Sequence, residues 1–562
     1  MTTAVEDQEA SAAFFNEAAA AQATPEQWAS LEWRLDNLYW IVNKSAKIVP
    51  FTMNDEQREF IQNIWYRNLI LKARQRGFST LMQLLQLDQA MFNQAHNGVT
   101  ISETLPKAHD LFSKIEFSYE RLPQLMKDAF PIVAHERGAS LTIGHDDGTG
   151  HSANSTISVK VNAMGGTVNL LHVSELGPIG MKFPARAEEI RTGTFPAVPT
   201  GMGEDGDQPG TIVVESTARG QFGLFWELCE PALKRWRDKT PETSLDWRLH
   251  FFPWYRAKEY RLPAHEVPLV HTPDKFNAYF RKLEAELGIK LDPGQRAWYV
   301  KTAETQKHKM KQEYPSTPEE AFEQSVEGAI YGEQMTWLRE QGRLCDFGVD
   351  INYPVDTFWD FGTGKNNAIW FHQAIGIQHR WFYYVGGELE DGIKGLRYWW
   401  IEVLEAHRHR HGYAWGNHVL PHDADTTILG EIETTKRDIL EGLGMGAGDG
   451  GKIVVVPRVN SLSTGIDITK KHLQGNHWFA RHKPDRDKGE DMGAGNGIAG
   501  LDGYQYEWDP KLESWKREPL HNWASHPADA WRQYAQAEEA GLLLSVSNSS
   551  LAKFKQRPRR GI

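Results

Sequence analysis

Asn68-Leu69-Ile70-Leu71-Lys72-Ala73-Arg74-Gln75-Arg76-Gly77-Phe78-Ser79-Thr80 is the stretch on which the fold turns. Asn68 to Leu71 reads as a short apolar strand, and beyond the loop Leu81, Leu84, Leu85 and Met91 recur near helical spacing. The loop between them therefore joins a strand to a helix. A phosphate-binding loop is built in that place, from backbone N–H groups free at a helix N-terminus, a cation for the β- and γ-phosphates and a hydroxyl for Mg²⁺. The match is divergent, because the usual pattern ends Gly-Lys-Ser/Thr. Here Phe78 stands where that lysine belongs, and Lys72 takes the place of the first glycine. Taken alone, the loop reads first as a basic turn in solvent.

Its neighbours add weight. Upstream, Phe51 and Gln57 offer a ring and an amide of the kind that reads an adenine edge. Further apolar strands are expected at Val99–Ile101, Leu170–Val173 and Thr211–Val214, so from about residue 52 strands alternate with amphipathic helices, as in an α/β sheet. The strand Leu170-Leu171-His172-Val173 runs into Ser174-Glu175. There a P-loop ATPase places a metal-associated residue and the glutamate that polarises the attacking water. After Val214, Ser216 and Thr217 supply small hydroxyls suited to sensing a γ-phosphate.

A second α/β segment begins near residue 350, with strands expected at Thr357–Asp360, Ala368–Phe371 and Arg380–Val385. Three acids mark it: Asp360 in FWDFGTG, Asp423 in VLPHDAD and Asp529 in SHPADAWRQY. Gathered carboxylates repel at roughly 4 kcal/mol per pair at about 4 Å and intermediate dielectric, so such a cluster stays ionised when divalent cations fill it. Oxygen ligands suit Mg²⁺ or Mn²⁺, and two such ions about 3.5–4 Å apart serve phosphodiester cleavage. Singly, each aspartate also reads as a loop acid or a helix cap. Asp425 and Asp356 are the weaker alternatives to Asp423 and Asp360. His422 and His526 adjoin the acids, as structural histidines or as neighbours of the metals.

Composition sets limits without choosing a function. At 562 residues the chain is too long for one core. Its 40% hydrophobic and 24% charged residues are ordinary for a soluble globular protein, and 21 tryptophans favour large mixed cores over a base-stacking surface. A formal net charge of −12 argues against an all-over basic surface but not against a basic groove. Cys229 and Cys345 have no CxxC spacing, which points away from zinc and disulfides and suits a reducing cytoplasm. No apolar run is long enough to span a membrane, and the acidic N-terminus lacks the pattern of a secretory signal. The glycine-rich stretches 441–451 and 488–503 read as loops.

With these motifs in this order, the chain from about Leu38 to Tyr534 resembles the terminase large subunits of tailed bacteriophages. The segment Gln312-Glu313-Tyr314-Pro315-Ser316-Thr317-Pro318-Glu319-Glu320-Ala321-Phe322, two prolines before an acidic helix start, is similar to the one joining ATPase and nuclease there. The resemblance implies an α/β fold: a P-loop NTPase (ASCE-type) parallel-sheet domain followed by an RNase H-like nuclease domain. The expected divisions are a helical arm 1–45, the ATPase 46–240, a connector 241–345, the nuclease 346–540 and a basic tail 541–562. It further implies ATP with Mg²⁺ bound by Phe51, Gln57, Lys72, Arg74, Gly77, Ser79 and Thr80. Glu175 would be the catalytic glutamate, and Ser216, Thr217 and Ala218 the segment coupling hydrolysis to movement. Two Mg²⁺ or Mn²⁺ ions would sit on Asp360, Asp423 and Asp529. Ser174 departs from the family, which keeps an aspartate there.

The implied partners are double-stranded DNA, the portal, a small terminase subunit and further copies in a ring on the portal. The implied place is the host cytoplasm, transiently the prohead portal vertex. Arg74, Arg76, Arg191 and Arg219 are all candidates for an arginine finger. The tail, with Lys553, Lys555, Arg557, Arg559 and Arg560, is expected to dock on portal or prohead; all five on duplex phosphates would give a log–log salt slope of roughly −4 to −5. Three other readings stand beside this one. They are a helicase–nuclease of repair or restriction, a non-catalytic portal-associated protein that lost turnover through Phe78 and Ser174, and an integrase-like strand transferase using the three acids.

Overall fold

The computed structural model describes residues 19–145, 152–161, 166–201, 209–322, 328–362, 367–386, 394–427, 434–446, 451–459, 461–482, 492–509, 511–512 and 514–543. The five cations of the basic tail and the first 18 residues of the expected arm lie outside them. The chain divides into two compact units, residues 1–324 and 325–562.

The first unit is built on an eight-stranded sheet: β1 (Arg67–Lys72), β2 (Asn97–Ile101), β3 (Ile132–Glu136), β4 (Ser140–Ile143), β5 (Ser155–Lys160), β6 (Leu170–Ser174), β7 (Thr211–Ser216) and β8 (Arg248–Phe252). Their order is β8-β1-β7-β6-β2-β5-β4-β3. The first six are mutually parallel, and β4 and β3 complete the sheet antiparallel. Taking β1, β2, β6, β7 and β8 as strands one to five gives the order 5-1-4-3-2 of an ASCE-type ATPase. The strand β8 lies within the stretch expected to be a connector. Charge and prolines around it hid a half-buried five-residue strand, RLHFF, that pairs with the loop-bearing strand β1.

The helices of this unit cover both faces. Helix α1 (Asp55–Gln62), α2 (Phe78–Phe92) and α3 (Leu105–Glu120) pack their apolar sides with Ile70 and Val213. Helix α4 (Gly223–Asp238) packs on the other face with Leu69, Leu71, Ile212 and Val214. The chains leaving the adjacent strands β1 and β7 thus depart to opposite faces. That leaves a crevice at their carboxyl ends, where open α/β sheets bind ligands. The 254–314 stretch adds an aromatic core of its own: Trp298 stacks on Tyr260 and Trp254, and Ala73 packs beneath the loop.

The second unit has a seven-stranded sheet: β9 (Leu344–Cys345), β10 (Val355–Asp360), β11 (Ala368–Ile375), β12 (Gln378–Gly386), β13 (Trp415–Leu420), β14 (Lys452–Val455) and β15 (His477–Ala480). The order is β9-β15-β12-β11-β10-β13-β14. An antiparallel meander β10–β11–β12 continues through β13 and β14, each parallel to its neighbour, which is the RNase H-like arrangement. The strand runs seen in the sequence here are all present. Most of the tryptophans named as fully buried lie in this unit, among them Trp359, Trp370, Trp381, Trp399, Trp415 and Trp531.

Of the glycine-rich stretch expected as a loop, residues 488–491 lie outside the description, but Gly495–Gly503 is a helix, α5. Glycine disfavours a helix by about 1 kcal/mol per residue, so packing must hold it. A Cβ on Gly497 would stand 2.4 Å from the Trp370 ring, and one on Gly500 2.1 Å from Pro527, on helix α6 (Ser525–Glu539). The glycines let the backbone approach where no side chain fits. Gly500→Ala is expected to cost about 1–3 kcal/mol by overpacking against the rigid proline ring, read as a lower urea midpoint for this unit.

Buried histidines make the same unit acid-sensitive. Burial lowers His418 and His379 to about 4 and His477 well below its usual range. A histidine kept neutral inside contributes stability that is complete above about pH 6.5, where the unfolded imidazole is also neutral. That stability is lost as pH falls towards about 4. For fully buried His418 the loss is roughly 3 kcal/mol. Urea midpoints should therefore fall between pH 8 and pH 5, and Thr357→Val, which removes the partner of His418 Nδ1 at 2.8 Å, should lower them at both.

Candidate functional site

The carboxyl edge of the first sheet brings together three charged side chains. Lys72 ends β1, Glu175 follows β6, and Glu215 lies near the end of β7, with register pairs Leu71–Ser216 and Ser174–Glu215. Lys72 Nζ is 3.6 Å from Glu175 Oε1 and 3.4 Å from Glu215 Oε2. Burial disfavours the ammonium, but Glu215 and then Glu175 outweigh it, and the Lys72 pKa is raised. For Glu215 burial is again the largest opposing influence. Lys72, His172 and the nearby Ser79 hydroxyl overcome it and hold the carboxyl well below its usual range.

The loop's backbone suits an anion. Gln75 and Gly77 have φ of 55° and 76°, left-handed positions of the kind that interrupt right-handed ones in anion-binding backbone concavities. Glu175 also sits in the left-handed region, φ 61° and ψ 51°, a strained place for a residue with a side chain and one frequent at working sites. Its Oε2 is 3.4 Å from both Ser216 Oγ and the Thr217 N–H, so the expected coupling segment touches the expected catalytic glutamate. Gly177 makes this closeness possible, since a Cβ there would meet the Thr217 carbonyl at 2.7 Å.

Phe78 turns into the core, stacked on Phe252 with ring centroids 4.6 Å apart. The helix position that usually presents lysine is thereby spent on packing. Of the two expected adenine contacts, Phe51 is buried in the core. Both ends of the Gln57 amide are committed, Oε1 accepting from the Asn54 N–H at 2.9 Å and Nε2 donating to the Gly77 carbonyl at 2.9 Å. Gln57 thus braces the loop after β1. Thr80 is half-buried in the first turn of α2.

The four arginine candidates separate. Arg76 is buried, bonded to Glu56 at 2.7 Å and Glu259 at 2.9 Å, and so is structural. Arg191 pairs at the surface with Glu227. Arg74 and Arg219 share one buried partner: Glu313 accepts from Arg74 Nε and, at 3.0 Å, from Arg219 Nη1. The Arg74 N–H donates to the Glu313 carbonyl at 3.0 Å, and Gln312 Nε2 to the Ala218 carbonyl at 2.7 Å. The segment beginning at Gln312, mute in the sequence apart from its resemblance, straps the loop after β1 to the loop after β7.

In the second unit the three acids come to one edge. Asp360 ends β10, Asp423 lies in the 3₁₀ turn after its parallel neighbour β13, and Asp529 is on α6, which packs over β10 and β11. Each is engaged by its own cation or histidine: Lys436 Nζ at 2.6 Å from Asp423, Arg532 at 2.7 Å from Asp529, and His526 Nδ1 at 2.9 Å from Asp360. Among the described residues no three His, Cys, Asp or Glu side chains are gathered closely enough to hold a metal ion. The tight cluster expected from the sequence is thus not gathered among the described residues.

Burial, with Asp360 adding and Arg532 opposing, pushes the Asp529 carboxyl up to about 6. The Asp360 carboxylate raises His526 against the effect of burial. Asp529 Oδ1 is buried, with Arg532 Nη1 2.7 Å away but in poor hydrogen-bond geometry. Of the alternatives, Asp425 is exposed, 3.7 Å from Arg437, and Asp356 accepts from the Asn417 N–H at 2.6 Å and faces His372. His422 is exposed.

The solved structures this chain resembles are phage large terminases. The HK97 bacteriophage large terminase matches at 11% identity over 91% of this chain and 99% of that one, with a TM-score of 0.39. The ATPase domain of the Thermus phage P74-26 large terminase matches at 17% over 47% and 94%, TM-score 0.32. The nuclease domain of the P22 large terminase matches at 12% over 35% and 86%, TM-score 0.22. No family model and no curated protein matches the chain. Among the described residues no helix is long and apolar enough to cross a membrane.

Sequence reasoning passed over Glu215 and the pair behind it. His172 Nε2 is 3.2 Å from Glu215 Oε1, and Gln83 Nε2 is 3.2 Å from His172 Nδ1. The signal was present: an acid inside the apolar run Thr211-Ile212-Val213-Val214-Glu215, and a histidine inside Leu170-Leu171-His172-Val173. Polar residues in parallel central strands need partners, and here they partner each other.

Proposed function

We propose that this chain is the large terminase subunit of a tailed phage. Its first unit would hydrolyse ATP to drive double-stranded DNA into a prohead, and its second would cut the concatemer before and after filling. The observation that carries this reading is Lys72 set between Glu175 and Glu215 at the carboxyl edge of a 5-1-4-3-2 sheet. Lys72 and Arg74 would neutralise the triphosphate, Ser79 would hold Mg²⁺, and Glu175 would take the proton of the attacking water. Ser216 and Thr217, bonded to Glu175, would register whether that water and the γ-phosphate are in place.

For the second unit, Asp360, Asp423 and Asp529 would hold two Mg²⁺ or Mn²⁺ ions as oxygen donors. When bound, the ions supply charge stabilisation and an activated water for phosphodiester hydrolysis. His526 would orient Asp360. The working partners are double-stranded DNA, the portal, a small subunit and other copies of the chain in a ring, in the host cytoplasm.

The test is DNA-stimulated ATP hydrolysis by the full chain, with Lys72→Ala beside it. Turnover by the wild type and a fall of about 100-fold or more in the variant, roughly 2.7 kcal/mol of transition-state stabilisation, is expected. A wild type that binds and turns over no ATP on any DNA would end the reading. Strand separation of a blunt duplex would replace translocation of intact duplex with a helicase.

A further inference from the structure

Ser174 stands at the end of β6, where a P-loop ATPase keeps an aspartate for its Mg²⁺. A serine brings no charge to that position. A carboxylate is nevertheless there, delivered from the next strand: Glu215 pairs with Ser174 in register, and Ser174 Oγ donates to Glu215 Oε1 at 3.2 Å. Glu215 is fully buried, and an interior strand does not keep an ionised acid for packing alone. His172 and Ser174 occupy Oε1. Oε2 makes no well-formed hydrogen bond and faces Lys72 Nζ at 3.4 Å. Near it stand the lysine expected on phosphate and the Ser79 hydroxyl expected on Mg²⁺, and Lys114 is a further cation that feels the Glu215 charge.

We propose that Glu215 supplies, from β7, the metal-associated carboxylate that Ser174 lacks on β6. The inference rests on the nucleotide reading above and assigns its metal partner. Together with Ser79, Glu215 would hold the Mg²⁺ that accompanies the triphosphate, while His172, fixed by Gln83, positions the carboxylate. Glu175 is left free for the water, which fits its place beyond the strand end and its partial exposure. The apparent loss at position 174 becomes a relocation by one strand.

Full-length wild type and Glu215→Gln are titrated with ATPγS in Mg²⁺ and in EDTA, and their ADP complexes with Mn²⁺ by electron paramagnetic resonance. In Glu215→Gln, binding in Mg²⁺ should weaken about tenfold (~1.4 kcal/mol) while binding in EDTA stays within about twofold. Mn²⁺ affinity should fall to a similar degree, and adding Ser174→Asp to the same variant should restore it. An unchanged Mg²⁺ dependence, or equal weakening with and without metal, overturns the proposal; the second result would make Glu215 a counter-ion for Lys72 alone. If Glu215→Gln does not fold, the swap Ser174→Asp/Glu215→Ser keeps one carboxylate between the strands. It should bind ATPγS with wild-type metal dependence, and a folded swap without that dependence overturns the proposal. A wild type that binds no ATPγS under either condition removes the nucleotide reading itself.

Discussion

Glu175→Gln is expected to lower ATP turnover by about 10²–10⁴-fold while ATPγS still binds within a few-fold of wild type. The change keeps the shape of the side chain and its reach towards Ser216 Oγ and the Thr217 N–H, both at 3.4 Å. What it removes is the basic oxygen that accepts the proton of the attacking water. The left-handed backbone at Glu175 is retained, so any loss is chemical and not a refolding of the strand end. Stopped-flow phosphate release with equilibrium binding separates the two effects. Loss of binding in parallel with turnover would make Glu175 a charge partner for Lys72. Wild-type turnover would place the base elsewhere, with Glu215 the nearest alternative carboxylate.

Much of this site was legible before any coordinates. Strand, loop and helix around Lys72 follow from apolar runs bounded by a basic, glycine-containing turn, and Glu175 follows from an acid ending an apolar strand. What stayed hidden depends on which strands become neighbours. Glu215 and Ser174 are 41 residues apart in sequence and meet only because β6 and β7 pair in register. Glu313 is still farther from Arg74 and Arg219, and no local pattern marks it as their shared partner. The bonding of Gln57 has a local cause that the motif reading did not weigh: Asn54 and Gln57 form a capping box for α1. In the second unit the alternation of the strands was visible, whereas the helix Gly495–Gly503 was masked by its own glycines. Their role is close approach to Trp370 and Pro527, which only the packing reveals.

Asp360→Asn should abolish metal-dependent cutting of supercoiled plasmid, by at least about 100-fold, and leave DNA-stimulated ATP hydrolysis unchanged. Asparagine preserves an oxygen for His526 but removes the charge that raises both His526 and Asp529. The substitution therefore carries a second readout independent of cutting. With Asp360 neutral, Asp529 should titrate below its value of about 6, and His526 should also move down, both readable by NMR on labelled protein. Cutting lost with both shifts would tie Asp360 and Asp529 to one electrostatic centre. Cutting retained in Mg²⁺ and Mn²⁺ would move the chemistry to other acids, Asp356 and Asp425 being the next to replace. Loss of cutting without movement of Asp529 would mean that the two carboxylates act at separate points on the edge. In that case Lys436, 2.6 Å from Asp423, would be the side chain to neutralise next, because it competes with any cation for the remaining acid.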